Sequence, residues 1–198
     1  MSEDTGLSRR RFLSVATSVT AVVGAGFVAV PFIASWQPSA RARALGAPVE
    51  VDISKLEVGA LMKVVWRGKP VSILRRSPEM LERMEGSSVE LRDPDSAEEQ
   101  QPAYARNEFR SIEPEVLVVI SSCTHLGCVP TSRFEVAPAD LGPDWVGGFF
   151  CPCHGSKFDF SGRVFAGVPA PTNLVVPPFR YLSETQVIVG ENPEEAKS

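Results

Sequence analysis

All four cysteines and both histidines of this 198-residue chain fall between Cys123 and His154. They form two boxes. The first is Cys123-Thr124-His125-Leu126-Gly127-Cys128 and the second is Cys151-Pro152-Cys153-His154-Gly155-Ser156. Each box offers one thiolate and one imidazole at close spacing, plus a second cysteine. A Cys₂His₂ set of this kind binds zinc. It equally suits a two-iron cluster, with thiolates on one iron and imidazoles on the other. Composition alone does not separate these readings. Three features bear on the choice. Cys-x-His followed at a distance by Cys-x-x-His is not the usual finger spacing. Two cysteines are left over once four ligands are assigned. Both boxes are bracketed by Gly and Pro, so the ligands sit on loops and not on a helix.

The N-terminus carries a second signal. Ser8-Arg9-Arg10-Arg11-Phe12-Leu13 precedes an uncharged run from Leu13 to Ile33. A twin arginine before an apolar stretch is the kind of address read by the twin-arginine export system. The run holds 21 residues, 14 of them apolar. As a helix it reaches roughly 31 Å, the thickness of a hydrocarbon core. Cleaved signals have shorter apolar cores, about 7–15 residues, so a retained single-span anchor is expected. Ala40-Arg41-Ala42 and Ala42-Arg43-Ala44 are small-x-small triplets, which makes cleavage the alternative. The three arginines ahead of the span keep the N-terminus in the cytoplasm. The expected organisation is a cytoplasmic segment at 1–12, an anchor at 13–33, a hinge linker at 34–48 and an exported domain at 49–198.

Net charge is −4 for the whole chain. Residues 1–45 hold five basic and two acidic side chains, so the remainder carries 15 Lys+Arg against 22 Asp+Glu, a net of −7. Such a domain lacks the broad basic face that nucleic acid requires. Four cysteines are also too few for a disulfide-dense miniprotein.

The exported part reads as short strands. Val49–Ile53 alternates with period two, and Leu61–Trp66 and Pro70–Leu74 flank Arg67-Gly68-Lys69 as a hairpin. Ser77-Pro78-Glu79 opens a short helix that Gly86 stops. Asp93–Pro102 is polar and acidic and is expected to be a solvated loop. Val116–Ile120 is a continuous apolar run, hence a buried strand leading to Cys123. Phe158–Phe160, a Ser161-Gly162 turn, Arg163–Ala166 and Gln186–Val189 follow the second box. This pattern indicates a small all-β sandwich or barrel.

Taken together, the two boxes match a known family throughout. The chain resembles the Rieske iron–sulfur subunit of quinol:cytochrome c oxidoreductase (cytochrome bc) complexes, bacterial type. The resemblance extends to Gly167-Val168-Pro169-Ala170-Pro171-Thr172-Asn173-Leu174, similar to the family's proline loop, to the Trp66–Val71 hairpin and to the twin-arginine anchor. It implies an all-β fold, a Rieske-type antiparallel β-sandwich. A smaller cluster-binding subdomain would span about 121–174, and one transmembrane helix would precede the sandwich. It implies one 2Fe–2S cluster, with Cys123 and Cys151 on the inner iron and His125 and His154 on the outer. Cys128 and Cys153 would form a disulfide, and Ser156 would donate a hydrogen bond to cluster sulfur. The tyrosine that high-potential members carry two residues beyond this serine is Phe158 here, which should lower the potential.

The same resemblance implies the function. His154, with His125 beside it, would take an electron and a proton from quinol, ubiquinol ahead of menaquinol. The electron would pass to cytochrome c1, and the second electron of quinol to cytochrome b. Leu126, Gly127, Pro169, Ala170 and Pro171 would form the docking rim. The expected setting is a dimeric complex in the bacterial inner membrane, with the domain on the periplasmic side. Three other readings compete: the small Rieske subunit of an exported oxidase such as arsenite oxidase, a Rieske oxygenase or its ferredoxin, and a zinc-binding structural module.

Overall fold

The computed structural model describes residues 3–193 and divides the chain into two compact units, Met1–Ala44 and Leu45–Ser198. In the first, helix α1 runs from Glu3 to Ala34. Its Ser8–Ala34 portion is long and apolar enough to cross a membrane. The polar residues in that stretch do not break the apolar surface electrically. Ser14 Oγ donates to Arg10 O at 2.9 Å, Thr17 Oγ1 to Leu13 O at 2.8 Å and Thr20 Oγ1 to Ala16 O at 2.9 Å. These three hydroxyls are therefore satisfied by their own helix, as a low-dielectric surrounding favours. Apolar side chains such as Phe27 (79% exposed) face outward with nothing packed on them.

Residues expected to be a hinge linker contain a second helix, α2 (Ala40–Gly46). Ser39 caps it: its Oγ accepts from Ala42 N at 3.1 Å. The Ala-rich composition that reads as a flexible tether also has the highest helix propensity, and the propensity prevails.

The second unit is built from three three-stranded antiparallel sheets. β1 (Val49–Asp52) pairs with β9 (Gln186–Val189), which pairs with β8 (Phe179–Ser183). β2 (Leu61–Trp66) pairs with β3 (Lys69–Arg75), which pairs with β4 (Val116–Ile120). β5 (Thr131–Arg133), β6 (Gly148–Phe150) and β7 (Lys157–Phe158) make the third sheet. All five residues of β4 are buried, as the unbroken apolar run demands. A single core joins the sheets. It contains Val51 and Phe179 from the first, Ile73 and Leu117 from the second, and Phe149 and Phe158 from the third. This is the expected antiparallel sandwich with a smaller attached sheet.

Helix α3 (Pro78–Glu85) has Ser77 as N-cap, accepting from Met80 N at 3.3 Å, and Gly86 as C-cap. Tyr104 pins β8 from the side. Its Oη donates to Phe179 O at 2.9 Å and accepts from Phe179 N at 2.8 Å. Two expectations differ from what is seen. Arg163–Ala166 is not a strand; it contributes only bridges, Phe158 to Val164 and Leu91 to Phe165. The acidic stretch 93–102 is not wholly solvated. Ser96 is fully buried, and Asn173 Nδ2 donates to Asp93 O at 3.0 Å, tying this loop to the C-terminal end of the proline loop.

Candidate metal centre

The two boxes fold into loops of the same backbone design. In loop 1, which follows β4, Cys123 N donates to Cys128 O at 2.7 Å and Gly127 N donates to Cys123 O at 2.8 Å. In loop 2, between β6 and β7, Cys151 N donates to Ser156 O at 2.8 Å and Gly155 N donates to Cys151 O at 2.9 Å. Each loop thus folds back on its first cysteine. The reversal needs left-handed backbone four residues on, where Gly127 (φ 84°) and Gly155 (φ 77°) stand.

This repetition sets the side chains. Cys123 and Cys151 are buried free thiols. Burial, and then the adjacent Cys123 thiol, push the Cys151 thiol up from its ordinary pKa. Two thiols held close together away from water are poorly placed as free acids and well placed as metal ligands, since a cation discharges both. The His125 and His154 rings meet edge-to-face with centroids 4.7 Å apart. Nδ1 of His125 is buried and has no hydrogen-bond partner, a cost that an interior nitrogen avoids by binding a metal. His154 is exposed.

The second cysteines of the loops, Cys128 and Cys153, are joined in a disulfide with Cα atoms 6.6 Å apart. Their sulfurs and that of Cys151 lie within 4.8 Å of one another. This trio is not a ligand set, because two of its members are already bonded to each other. Cys123, His125, Cys151 and His154 remain as candidate donors. Two cysteines and two histidines are the donor types that a mixed-ligand two-iron cluster takes.

Two hydrogen bonds fasten the loops to the Gly167–Thr172 segment. Thr124 Oγ1 donates to Thr172 O at 2.7 Å. Ala170 N donates to Ser156 Oγ at 3.0 Å, which leaves the hydroxyl hydrogen of the buried Ser156 available to another acceptor. Leu126 is 72% exposed, and Gly127, Pro169 and Pro171 are exposed as well. Ala170, expected on that rim, is instead fully buried; its backbone serves the clamp on Ser156. Phe158 is fully buried and brings no hydroxyl to the loops.

Sequence reasoning did not single out Thr124, whose threonine-to-carbonyl bond spans 48 positions. It also missed the support under loop 2. Lys157 Nζ donates to Leu141 O at 2.9 Å and lies 6.0 Å from the ring centroid of Trp145. Only a fold that brings the 134–147 excursion back onto β7 makes these contacts visible.

Residues 87–180 match the Rieske [2Fe-2S] domain, and residues 1–39 match the TAT signal of the ubiquinol-cytochrome c reductase Fe-S subunit. The chain is 61% identical over 184 residues to the ubiquinol-cytochrome c reductase iron-sulfur subunit of Allochromatium vinosum, covering 93% of this chain and 89% of that one. It is 44% identical to the Blastochloris viridis subunit, covering 96% and 97%, and 42% identical to that of Bradyrhizobium diazoefficiens, covering 92% and 94%. The two loops, the sandwich that carries them and the apolar helix ahead of it therefore identify the chain as a member of the ubiquinol-cytochrome c reductase iron-sulfur subunit family, whose cofactor is a Rieske 2Fe–2S cluster.

Proposed function

We propose that this chain is the membrane-anchored electron carrier of a quinol-oxidising complex, with Cys123 and Cys151 holding one iron and His125 and His154 the other. The observation that carries the proposal is the pairing of the two imidazoles, one with an unpartnered buried Nδ1 and the other exposed. When bound, the cluster supplies a one-electron acceptor whose neutral imidazole ligands raise its potential above that of an all-thiolate centre. The residues do the rest. His154 presents its outer nitrogen to a quinol hydroxyl, accepts the hydrogen bond and takes the proton as the electron leaves. Leu126, Gly127, Pro169 and Pro171 exclude water around that contact, which strengthens the hydrogen bond. Ser156, whose hydroxyl hydrogen is left free by the Ala170 bond, would donate to cluster sulfur and favour the reduced state.

Ubiquinol is the donor on this reading, since the relatives at 61% and 44% identity are ubiquinol-cytochrome c reductase subunits. Cytochrome b receives the second electron and cytochrome c1 the electron from this cluster, within a dimeric complex. Residues 1–12 stay in the cytoplasm, 13–33 span the inner membrane, and 34–48 form the pivot from which the domain at 49–198 moves on the periplasmic side. The twin arginines and the disulfide both favour an exported, oxidising location.

Redox-titrated EPR of the membrane-bound protein tests the proposal. A reduced mixed-ligand two-iron signal that a quinol-site inhibitor perturbs is expected. A zinc content with no such signal, or a signal indifferent to the inhibitor, overturns it.

A further inference from the structure

Two buried arginines lie outside the cluster loops. Arg76 follows β3 and is 1% exposed; Arg110 is fully buried and sits in left-handed backbone at φ 50°. Both reach one turn of the hairpin that leaves loop 2. Arg76 Nη1 donates to Ser161 Oγ at 2.9 Å, to Phe160 O at 3.3 Å and to Phe109 O at 2.9 Å. Arg110 Nη1 donates to Ser161 O at 3.2 Å and to Gly162 O at 3.3 Å.

Neither forms an ion pair among the described residues. The carboxylate that acts on both, Asp159, is already committed. It pairs with Arg163 Nε at 2.7 Å, and its Oδ1 accepts from Ser161 N and Arg163 N at 2.8 Å each. Asp159 and Arg163 pair with each other. The further carboxylates that act on the two arginines, Glu115 on Arg76 and Asp93 on Arg110, do so without forming an ion pair with them, so both guanidinium charges are held in the interior with no direct counter-ion. Among the described residues, Nε and Nη2 of Arg76 and Nε of Arg110 have no partner. Burial lowers both guanidinium pKa values to about 10, with Asp159 opposing the shift, so both stay cationic at neutral pH.

Ser161 lies five residues beyond Ser156. At about 3.3 Å per residue the turn is within roughly 17 Å of loop 2. The intervening Phe158 and Phe160 are both fully buried. The space between is therefore protein rather than water, and buried charges are screened little by salt.

We propose that Arg76 and Arg110 are fixed buried charges that raise the reduction potential of the cluster held by the two loops. The inference rests on the ligand assignment proposed above and adds residues that touch neither the cluster nor quinol. Taking up one electron makes the cluster one unit more negative. Rigid cations already in place stabilise that state without reorganising. They offset part of what the absent hydroxyl at Phe158 withholds.

A charge series on the full membrane-bound protein tests this, read as the midpoint potential in redox-titrated EPR. Asp159→Asn keeps the Oδ1 acceptor for both backbone N–H groups and removes a negative charge, so its potential should rise. Arg76→Gln and Arg110→Gln should fall, and Arg76→Lys, which keeps the charge, should stay near the parent. Should the glutamine variants fail to accumulate, Asp159→Asn still decides by its sign. An unchanged or lowered potential in Asp159→Asn, or equal falls in Arg76→Lys and Arg76→Gln, overturns the proposal and makes the arginines struts of the turn. Absence of the two-iron signal in the parent protein would instead sink the ligand assignment itself.

Discussion

The imidazoles of His125 and His154 come from loops 29 positions apart in the sequence and stand edge-to-face with ring centroids 4.7 Å apart. Neither loop could hold both rings, because each is occupied in folding back on its own cysteine. The consequence is mutual dependence. Replacing His154 by Gln should lower quinol turnover by about 10²-fold or more, the range for a lost proton-accepting group. Parallel immunoblots and EPR would show anchored protein with the two-iron signal lost or altered. Turnover at the parent level would remove His154 from the reaction.

The Cys128–Cys153 bond closes a 25-residue separation between the loops. On the chain-entropy account such a closure contributes about 3–4 kcal/mol. Cys128→Ser should destabilise the protein by an amount of that order, seen as a lowered unfolding midpoint. It should also reduce cluster content, since loop 1 and loop 2 would be joined only through the core and the clamps on 170 and 172. Full cluster occupancy in Cys128→Ser would confine the bond to a purely stabilising part.

Much of this was legible beforehand, for identifiable reasons. Val116–Ile120 read as a strand because a short, β-branched apolar run has the length of a buried strand, and Val49–Asp52 because its apolar residues alternate. Ser77 and Gly86 marked α3 because caps are local chemistry. β5, β6 and β7 have only three, three and two residues, too short to carry a period. The six Cys and His residues pointed to a candidate metal centre without the fold. Its supports did not announce themselves. Arg76 and Arg110 look like ordinary surface arginines until Ser161 is folded against them, and α2 is too short for an apolar period to mark it, although its alanines favour helix.

Phe158 is fully buried where its ring meets the core under loop 2. Adding a hydroxyl there in Phe158→Tyr should raise the midpoint potential if the new O–H reaches a sulfur, since a donor stabilises the more negative reduced cluster. Were no acceptor in reach, the buried hydroxyl would cost about 1–3 kcal/mol. A titration showing an unchanged potential with a lowered unfolding midpoint would reject the sulfur contact.

Gly155 has nothing within 4 Å of where a Cβ would stand, yet its φ is 77°. Any cost of Gly155→Ala is therefore conformational and not steric, roughly 1–2 kcal/mol for an L residue held in left-handed backbone. Thermal unfolding of the full protein should show a loss of this size. A neutral result would mean that loop 2 relaxes to negative φ, in which case the Gly155 N to Cys151 O bond and the cluster signal should change with it.

The pivot reading of residues 34–48 has to accommodate α2, a seven-residue helix with a single serine cap. A helix this short is marginal alone, so it can melt and re-form as a domain moves. It could equally act as a rigid spacer. Ala44→Pro separates these. Proline deletes the N–H that α2 uses and clashes with the preceding turn, at a cost of about 3 kcal/mol or more, ample to abolish the helix. The substitution lies outside the sandwich unit, so cluster content should be untouched. If formation of α2 is part of the movement, turnover should fall while the EPR signal and potential stay at parent values. Unchanged turnover would show that the tether works equally well without a helix and would count against α2 as the moving element.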